Sequence, residues 1–316
     1  MLFGIAKRTA GSAVVLLAVS AAVFFAGNAL APGSAVTILI GAEGATSQQQ
    51  QQLRHQLGLD QPLGAQYWEW ITGVLRGNFG VSPISHRTAN AVLAQETPVS
   101  LELAFLALLV AAVVGIPVGV LAAVWADRPF DYLVRGVTLT GLSIPVFVTG
   151  TLLVLGASRY APGLYAVSFV SLWSDPAGNL VSVFFPVVTA AIPTTALLMQ
   201  MTRGTMLECL SQPYVTVADA RGVPRWSLYF IHALKNALPP ILTFLGFQFG
   251  ILLGSLFVVE NVFSLPGLGS GIVSSINNRD YVLLEAQVMV IAAAFVVGNV
   301  VVDVLEPVID PRRRIA

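Results

Sequence analysis

The sequence predicts an all-α integral membrane protein with six transmembrane helices and a small extracytoplasmic cap between helices 1 and 2. Three observations carry this. Charged residues make up 10% of the 316, against 56% for AVILMFWYC residues, whereas a soluble domain averages about 25% charged. Six stretches, 9–42, 103–126, 136–158, 176–202, 237–259 and 286–302, hold no charged side chain. A hydrocarbon core of about 30 Å needs about 20 helical residues, and the last run reaches that length by including Tyr281–Leu284 and accepting Glu285. Finally, the runs do not alternate in polarity as barrel strands of about 10 residues would, so each must satisfy its own backbone as a helix.

Taken in order, the first run follows Lys7 and Arg8 and is longer than the apolar core of a usual signal peptide. Ala26-Gly27-Asn28-Ala29 leaves cleavage open, and we take the run as a retained helix. Residues 43–98 form the cap. Within it, 46–57 read as a glutamine-rich helix with a solvated face, and Gly58-Leu59-Asp60-Gln61-Pro62 as a helix stop. Gln66–Ile71 with Val74 and Leu75 repeats apolar groups at helical spacing. Tyr67, Trp68 and Trp70 fit equally an interfacial aromatic belt or the small core of the cap. Gly77-Asn78-Phe79-Gly80 breaks that helix.

Runs two and three are joined by the tight turn Asp127-Arg128-Pro129-Phe130-Asp131, and 159–175 is a short loop. Gly115, Pro117, Gly119, Gly141 and Pro145 lie inside spans, where such residues serve as close-packing points and kinks; a kink beside a substrate path is the other reading. The division expected is therefore 1–42 for the N-terminus and first helix, 43–98 for the cap, and 99–316 for the membrane core.

Arginine and lysine set the orientation. With the N-terminus in the cytoplasm, 11 fall inside (Lys7, Arg8, Arg128, Arg135, Arg203, Arg221, Arg225, Lys235, Arg312, Arg313, Arg314) and 5 outside (Arg54, Arg76, Arg87, Arg159, Arg279). Both termini are expected in the cytoplasm, and so is the loop 204–237. In that loop, small side chains at Ala218 and Ala220 would let a short helix seat closely in a groove on another protein. Gly222 and Pro224 would end it. Arg221, Arg225 and Lys235 need no more than the charge rule to explain them.

Several function classes are excluded or disfavoured. A formal net charge of +0 points to no nucleic acid. Cys209 is the only cysteine, so no internal disulfide forms. A Walker A loop requires Gly-Lys-Ser/Thr, but the only lysines, Lys7 and Lys235, follow no glycine, so this sequence holds no such nucleotide loop. His55, His86 and His232 are too scattered for a His-Glu-x-x-His zinc site, and no Gly-x-Ser-x-Gly is present. An intramembrane aspartyl hydrolase needs paired carboxylates, and Asp303 has no evident acidic partner within the spans. A secondary transporter would show a repeat and midplane ionisable groups, of which few are found. Asp303, with Asn299 one turn earlier, remains a default candidate for function; a helix-end carboxylate, paired or wetted, is the preferred reading. Gln200 and Gln248 either line a cavity or hold helices together.

The run Ala218-Asp219-Ala220-Arg221-Gly222-Val223-Pro224, followed by His232-Ala233-Leu234-Lys235-Asn236-Ala237, resembles the cytoplasmic coupling loop of binding-protein-dependent ABC importer permeases. More narrowly it is similar to the dipeptide/oligopeptide/nickel branch. Other pieces agree in order: Gly77-Asn78-Phe79-Gly80-Val81-Ser82, Ser100-Leu101-Glu102-Leu103-Ala104, Gly115-Ile116-Pro117, Ser143-Ile144-Pro145, Glu260 through Gly269, Arg279-Asp280-Tyr281 and Asp310-Pro311-Arg312. Three departures are Asn78 in place of the usual Asp, Glu306 in place of an aromatic, and the absence of the glutamate general to importer coupling loops.

The resemblance implies a type I importer permease in a bacterial inner membrane. Such a subunit is half of a pore, paired with a second homologous permease, driven by two cytoplasmic ATPases that bind ATP and magnesium, and fed by an extracytoplasmic substrate-binding protein. The chain itself would hold no cofactor or metal and do no chemistry. On these grounds Ala218–Pro224 would couple to the ATPase. Ser143 and Pro145 would line the pore, with Gln200, Gln248, Asn299 and Asp303 as further candidates. Short peptides are the expected cargo, with nickel chelates or other small solutes of the same branch as the alternative.

Overall fold

A computed structural model describes residues 2–30, 51, 55, 60–165 and 169–309. The described residues are almost wholly helical. In chain order the helices are α1 (Leu2–Leu30), α2 (Leu63–Leu75), α3 (Ala89–Val124), α4 (Pro129–Ser143), α5 (Val146–Tyr160), α6 (Pro176–Leu210), α7 (Pro213–Ala220), α8 (Arg225–Val262), α9 (Leu268–Asn278) and α10 (Tyr281–Ile309). A single helical turn at Pro162–Tyr165 precedes α6. The glutamine-rich helix expected at 46–57 lies outside the described residues except at 51 and 55, which are helical. Near it, His55 Nδ1 and Asp60 Oδ2 lie 2.7 Å apart, and that hydrogen bond holds the Asp60 carboxyl below its usual range.

Five described helices are long and apolar enough to cross a membrane: Gly11–Ala29 within α1, then α3, α6, α8, and Tyr281–Val302 within α10. A sixth crossing is reached only if α4 and α5 together count as one broken span. The run 136–158, expected as one helix, is broken there by a 96° bend. The reason is local: Pro145 disfavours the helical region for the residue before it, and Ile144 is extended (φ −85°, ψ 121°). The ladder therefore stops at Ser143, and Pro145 caps the restart at Val146. By contrast Pro186 and Pro193 sit inside α6, and Pro239 and Pro240 inside α8, without ending them. A π-helical stretch, Leu228–Ala233, opens α8.

The described residues form two compact units, one of Leu101–Leu265 with Val297 onward, the other of Leu2–Ser100 with Pro266–Val296. The boundaries fall inside α3 and α10.

In the first unit, α3 lies so close to α6 that a Cβ added at Gly119 would sit 2.7 Å from Thr202 Cβ and 2.8 Å from the Met199 carbonyl; at Gly115 it would lie 3.2 Å from Leu198 Cβ. Lipid offers no hydrophobic drive between helices, so small residues four apart that let backbones approach are how the pair adheres. Close packing is thus the role of Gly115 and Gly119. Fully buried Ala111, Val120, Leu198, Met206, Ala237 and Ile241 extend the same core from α3 through α6 to α8.

In the second unit, α2 lies against α1. The Tyr67 ring is 5.5 Å from Phe24 and 5.7 Å from Phe25, Trp70 is 5.5 Å from Phe24, and Tyr67 Oη lies 2.8 Å from Ser20 Oγ. Tyr67 and Trp70 are therefore half-buried against α1, and Trp68 is left exposed. The turn Gly77–Gly80 has both glycines at positive φ (76° and 89°), which glycine adopts without penalty. Asn90 closes it, accepting from Phe79 N–H and donating to the Gly77 carbonyl. Ser82 then donates to Asp280 across 198 residues of sequence at 2.5 Å. Gln287 donates to Glu96 at 2.8 Å and accepts from Ser275 at 3.0 Å. Two pieces noted in the sequence for their order, Gly77–Ser82 and Arg279–Tyr281, thus meet in one body.

Candidate functional site

The segment expected to couple is a two-turn helix. Pro213 occupies the first turn of α7, where a missing N–H costs nothing and φ is already set. At the other end the Val223 N–H donates to the Ala218 carbonyl at 3.2 Å and the Gly222 N–H to the Asp219 carbonyl at 2.9 Å. Gly222 has φ +78°. This is a Schellman closure, the left-handed residue satisfying carbonyls that the helix leaves unpaired. Asp219, Ala220, Arg221, Gly222 and Pro224 are exposed, and Ala218 and Val223 are half-buried. Val215 alone in α7 is buried. Past Pro224, Trp226 is 68% exposed and its ring stacks 4.0 Å from Phe230. The segment is thus a small rigid element with Val215 buried, Ala220 and Gly222 on the surface and Ala218 half-buried.

The six candidate pore residues do not gather at one point. Gln200 is exposed and lines a cleft of ≈ 250 Å³ between α4 and α6, with Thr138, Leu139, Arg135 and Arg203. Gln248 is 5% exposed and lines a second cleft, of ≈ 210 Å³, between α6, α8 and the start of α5. Ser143 and Pro145 are exposed at the bend, and the Ser143 hydroxyl is spent on the Leu139 carbonyl at 2.7 Å. Asn299 is half-buried and has an interaction partner. Asp303 lies in α10, its side chain outside those described. Among the described residues no group of three His, Cys, Asp or Glu is placed to hold a metal.

One cluster was not singled out from the sequence. Asp131, with no exposed side-chain surface, accepts from Arg203 Nε at 2.6 Å and Nη2 at 2.8 Å. It also accepts from Arg135 Nη2 at 2.6 Å and from the Asp127 N–H at 3.0 Å. Asp127 Oδ1 takes a further bond from Arg135 at 3.1 Å. A buried carboxylate is tolerable only when paired and bonded in this way. The four-residue spacing of Asp131 and Arg135 on one helix was the available signal; nothing in the sequence pointed to Arg203, 72 residues on. The cluster ties the start of α4 to α6 at Arg203, near the end of α6 at Leu210.

Comparison with known proteins adds two family matches. Residues 115–315 match the binding-protein-dependent transport system inner membrane component, and residues 1–94 match the N-terminal part of such membrane components. The chain is 36% identical to a probable peptide ABC transporter permease of Sinorhizobium fredii over 286 residues, 90% of this chain and 91% of that one. It is 36% identical to the glutathione transport system permease of Salmonella typhimurium, and 34% identical to that of Escherichia coli K12. Each of these two matches runs over 314 residues and 99% of both chains.

Proposed function

This chain belongs to the family of binding-protein-dependent transport system inner membrane components, a non-catalytic multi-pass permease subunit of an ABC importer, and from that premise we propose that it forms half of a translocation pore for short peptides. The ATPase and substrate-binding partners general to the family do the hydrolysis and the delivery. A second homologous permease would complete the pore, with two ATPases seated beneath. The 11-to-5 division of basic residues favours both termini, and α7 with them, on the cytoplasmic side. Peptide and glutathione permeases are the relatives matched over nearly the whole chain, and glutathione is itself a tripeptide; nickel chelates are the less favoured cargo.

The observation that carries the coupling half of this reading is α7: a proline-started, Schellman-ended helix with only Val215 buried, exposing Tyr214, Thr216, Val217, Asp219 and Ala220. A short stiff rod anchored only at Val215 can follow an ATPase groove as it moves and pull on α6 and α8. The 43–98 segment is proposed as the part that meets the binding protein.

The test is reconstitution of the importer in liposomes, with ATPase stimulation by the loaded binding protein as readout. Gly222→Val places a β-branched residue at φ +78°, at a cost of about 1 kcal/mol or more. A side chain there meets no other atom of this chain within 4 Å, so the damage is to the helix end and to whatever docks on it. The helices should remain inserted, while ATPase stimulation falls. Stimulation equal to the parent's would remove α7 from coupling.

A further inference from the structure

The cleft lined by Gln248 has an unusual chemical character. Its walls are apolar: Val146 where α5 restarts after the bend, Leu197 on α6, and Leu252 and Leu256 on α8. No charged side chain lines it. Three polar groups do. The Thr194 hydroxyl donates to the Ala190 carbonyl at 3.2 Å, and the Ser255 hydroxyl to the Leu252 carbonyl at 3.0 Å, so both protons are committed to their own helices. Gln248 differs. The residue is 5% exposed, and its carboxamide, tied to no other described residue, is not among the fully buried polar atoms: it keeps open surface on the cleft. A carboxamide carries two donors and an acceptor, and here they are offered to the cleft.

We propose that this cleft is a cargo subsite that holds one peptide bond of the passing substrate, Gln248 giving an N–H to its carbonyl and accepting from its N–H, while the adjoining apolar side chain lies against Leu252 and Leu256. The chemistry selects that occupant. A free carboxylate, an ammonium group or a charged metal chelate would be stripped of water without a counter-charge. A backbone amide is neutral and presents a donor and an acceptor side by side, complementary to those of Gln248. At ≈ 210 Å³ the cleft is smaller than the about 300–1,000 Å³ of whole small-molecule pockets, which suits one residue of a longer chain. Being sequence-independent, such a contact would let peptides of many sequences pass. The proposal rests on the peptide-permease reading and deepens it.

The experiment uses the full reconstituted importer with binding protein preloaded with one of two probes, trileucine or its analogue in which both peptide amides are replaced by esters. Gln248→Met keeps length and apolar bulk but removes the hydrogen bonds. It should slow trileucine uptake by about tenfold and leave uptake of the ester, which already lacks the N–H, much less affected; ATPase stimulation should be unchanged. Equal slowing of both probes, or no slowing of either, overturns the subsite. Should the variant not assemble, trileucine carrying a diazirine on its central side chain decides with the parent complex. Cross-links formed during turnover should fall on α8 between Gln248 and Leu256, and their absence there overturns the proposal. A parent importer that takes up neither trileucine nor glutathione would instead overturn the peptide reading, and the subsite with it.

Discussion

The Asp131 cluster and α7 lie in one compact unit and are built on opposite plans. Asp131 is wholly buried and held by two arginines and a backbone N–H. Helix α7 is held by a buried valine and two backbone hydrogen bonds at its end, with most of its side chains on the surface. The first plan makes a fixed point: a buried, paired charge has one acceptable geometry, and moving any member strands the others. The second makes a part that keeps its own shape while its surroundings change. In the proposed coupling, motion delivered at α7 would reach α6, which the ion-pair cluster fastens to α4.

That contrast can be broken at several points. The largest expected effect is Asp131→Ala, which leaves Arg203 without its counter-charge and Arg135 with only the exposed Asp127. Removing one partner of a buried pair costs about 3–5 kcal/mol, so the yield of folded protein after detergent extraction should collapse. Near-parental yield and melting temperature would mean that Asp131 clamps nothing.

Gly222→Val should come next, at about 1 kcal/mol. Its signature is the reverse of the clamp's: stability nearly kept, ATPase stimulation lost. A variant that loses both in proportion would show that α7 is structural rather than a handle.

Arg135→Ala should be milder in stability than Asp131→Ala by a wide margin. Arg135 is 41% exposed and Asp131 keeps its two bonds from Arg203, so the loss should lie within about 1 kcal/mol. A melting temperature as low as that of Asp131→Ala would shift the clamp from Arg203 to Arg135.

The smallest effect is expected from Arg221→Ala, on the exposed turn after α7, where surface changes stay within about 0.5 kcal/mol. ATPase co-purification should persist, because the proposed contact is made by small side chains. Loss of the ATPase would make the arginine itself the docking group.

Much of this was legible in the amino-acid order because the forces involved are local. The absence of charge over runs of membrane length marked the spans, since every residue of a span meets the same solvent. The end of α7 was legible for the same reason: Gly222 and Pro224 act on their own backbone, and the left-handed glycine is where the sequence placed it. Pro145 marked a kink, but its outcome was not legible. Prolines 186, 193, 239 and 240 lie inside continuous helices, while Pro145 ends one at a 96° bend. The choice depends on what packs around the freed backbone groups. For Tyr67 and Trp70 the sequence did not show their partners, Phe24 and Phe25 on α1.

What tertiary structure alone decided are the pairings of distant residues. Asp131 meets Arg203 72 positions away, Ser82 meets Asp280 198 away, and Gln287 meets Glu96 191 away. Gln248 is buried to 5% exposure and Gln200 lies open, although both read alike as lone glutamines in apolar runs. A helix's sequence determines which face a residue occupies and how polar it is. It does not determine which neighbour arrives opposite that face, because that follows from close approaches such as that of Gly115 and Gly119 to α6, each settled by packing several helices at once.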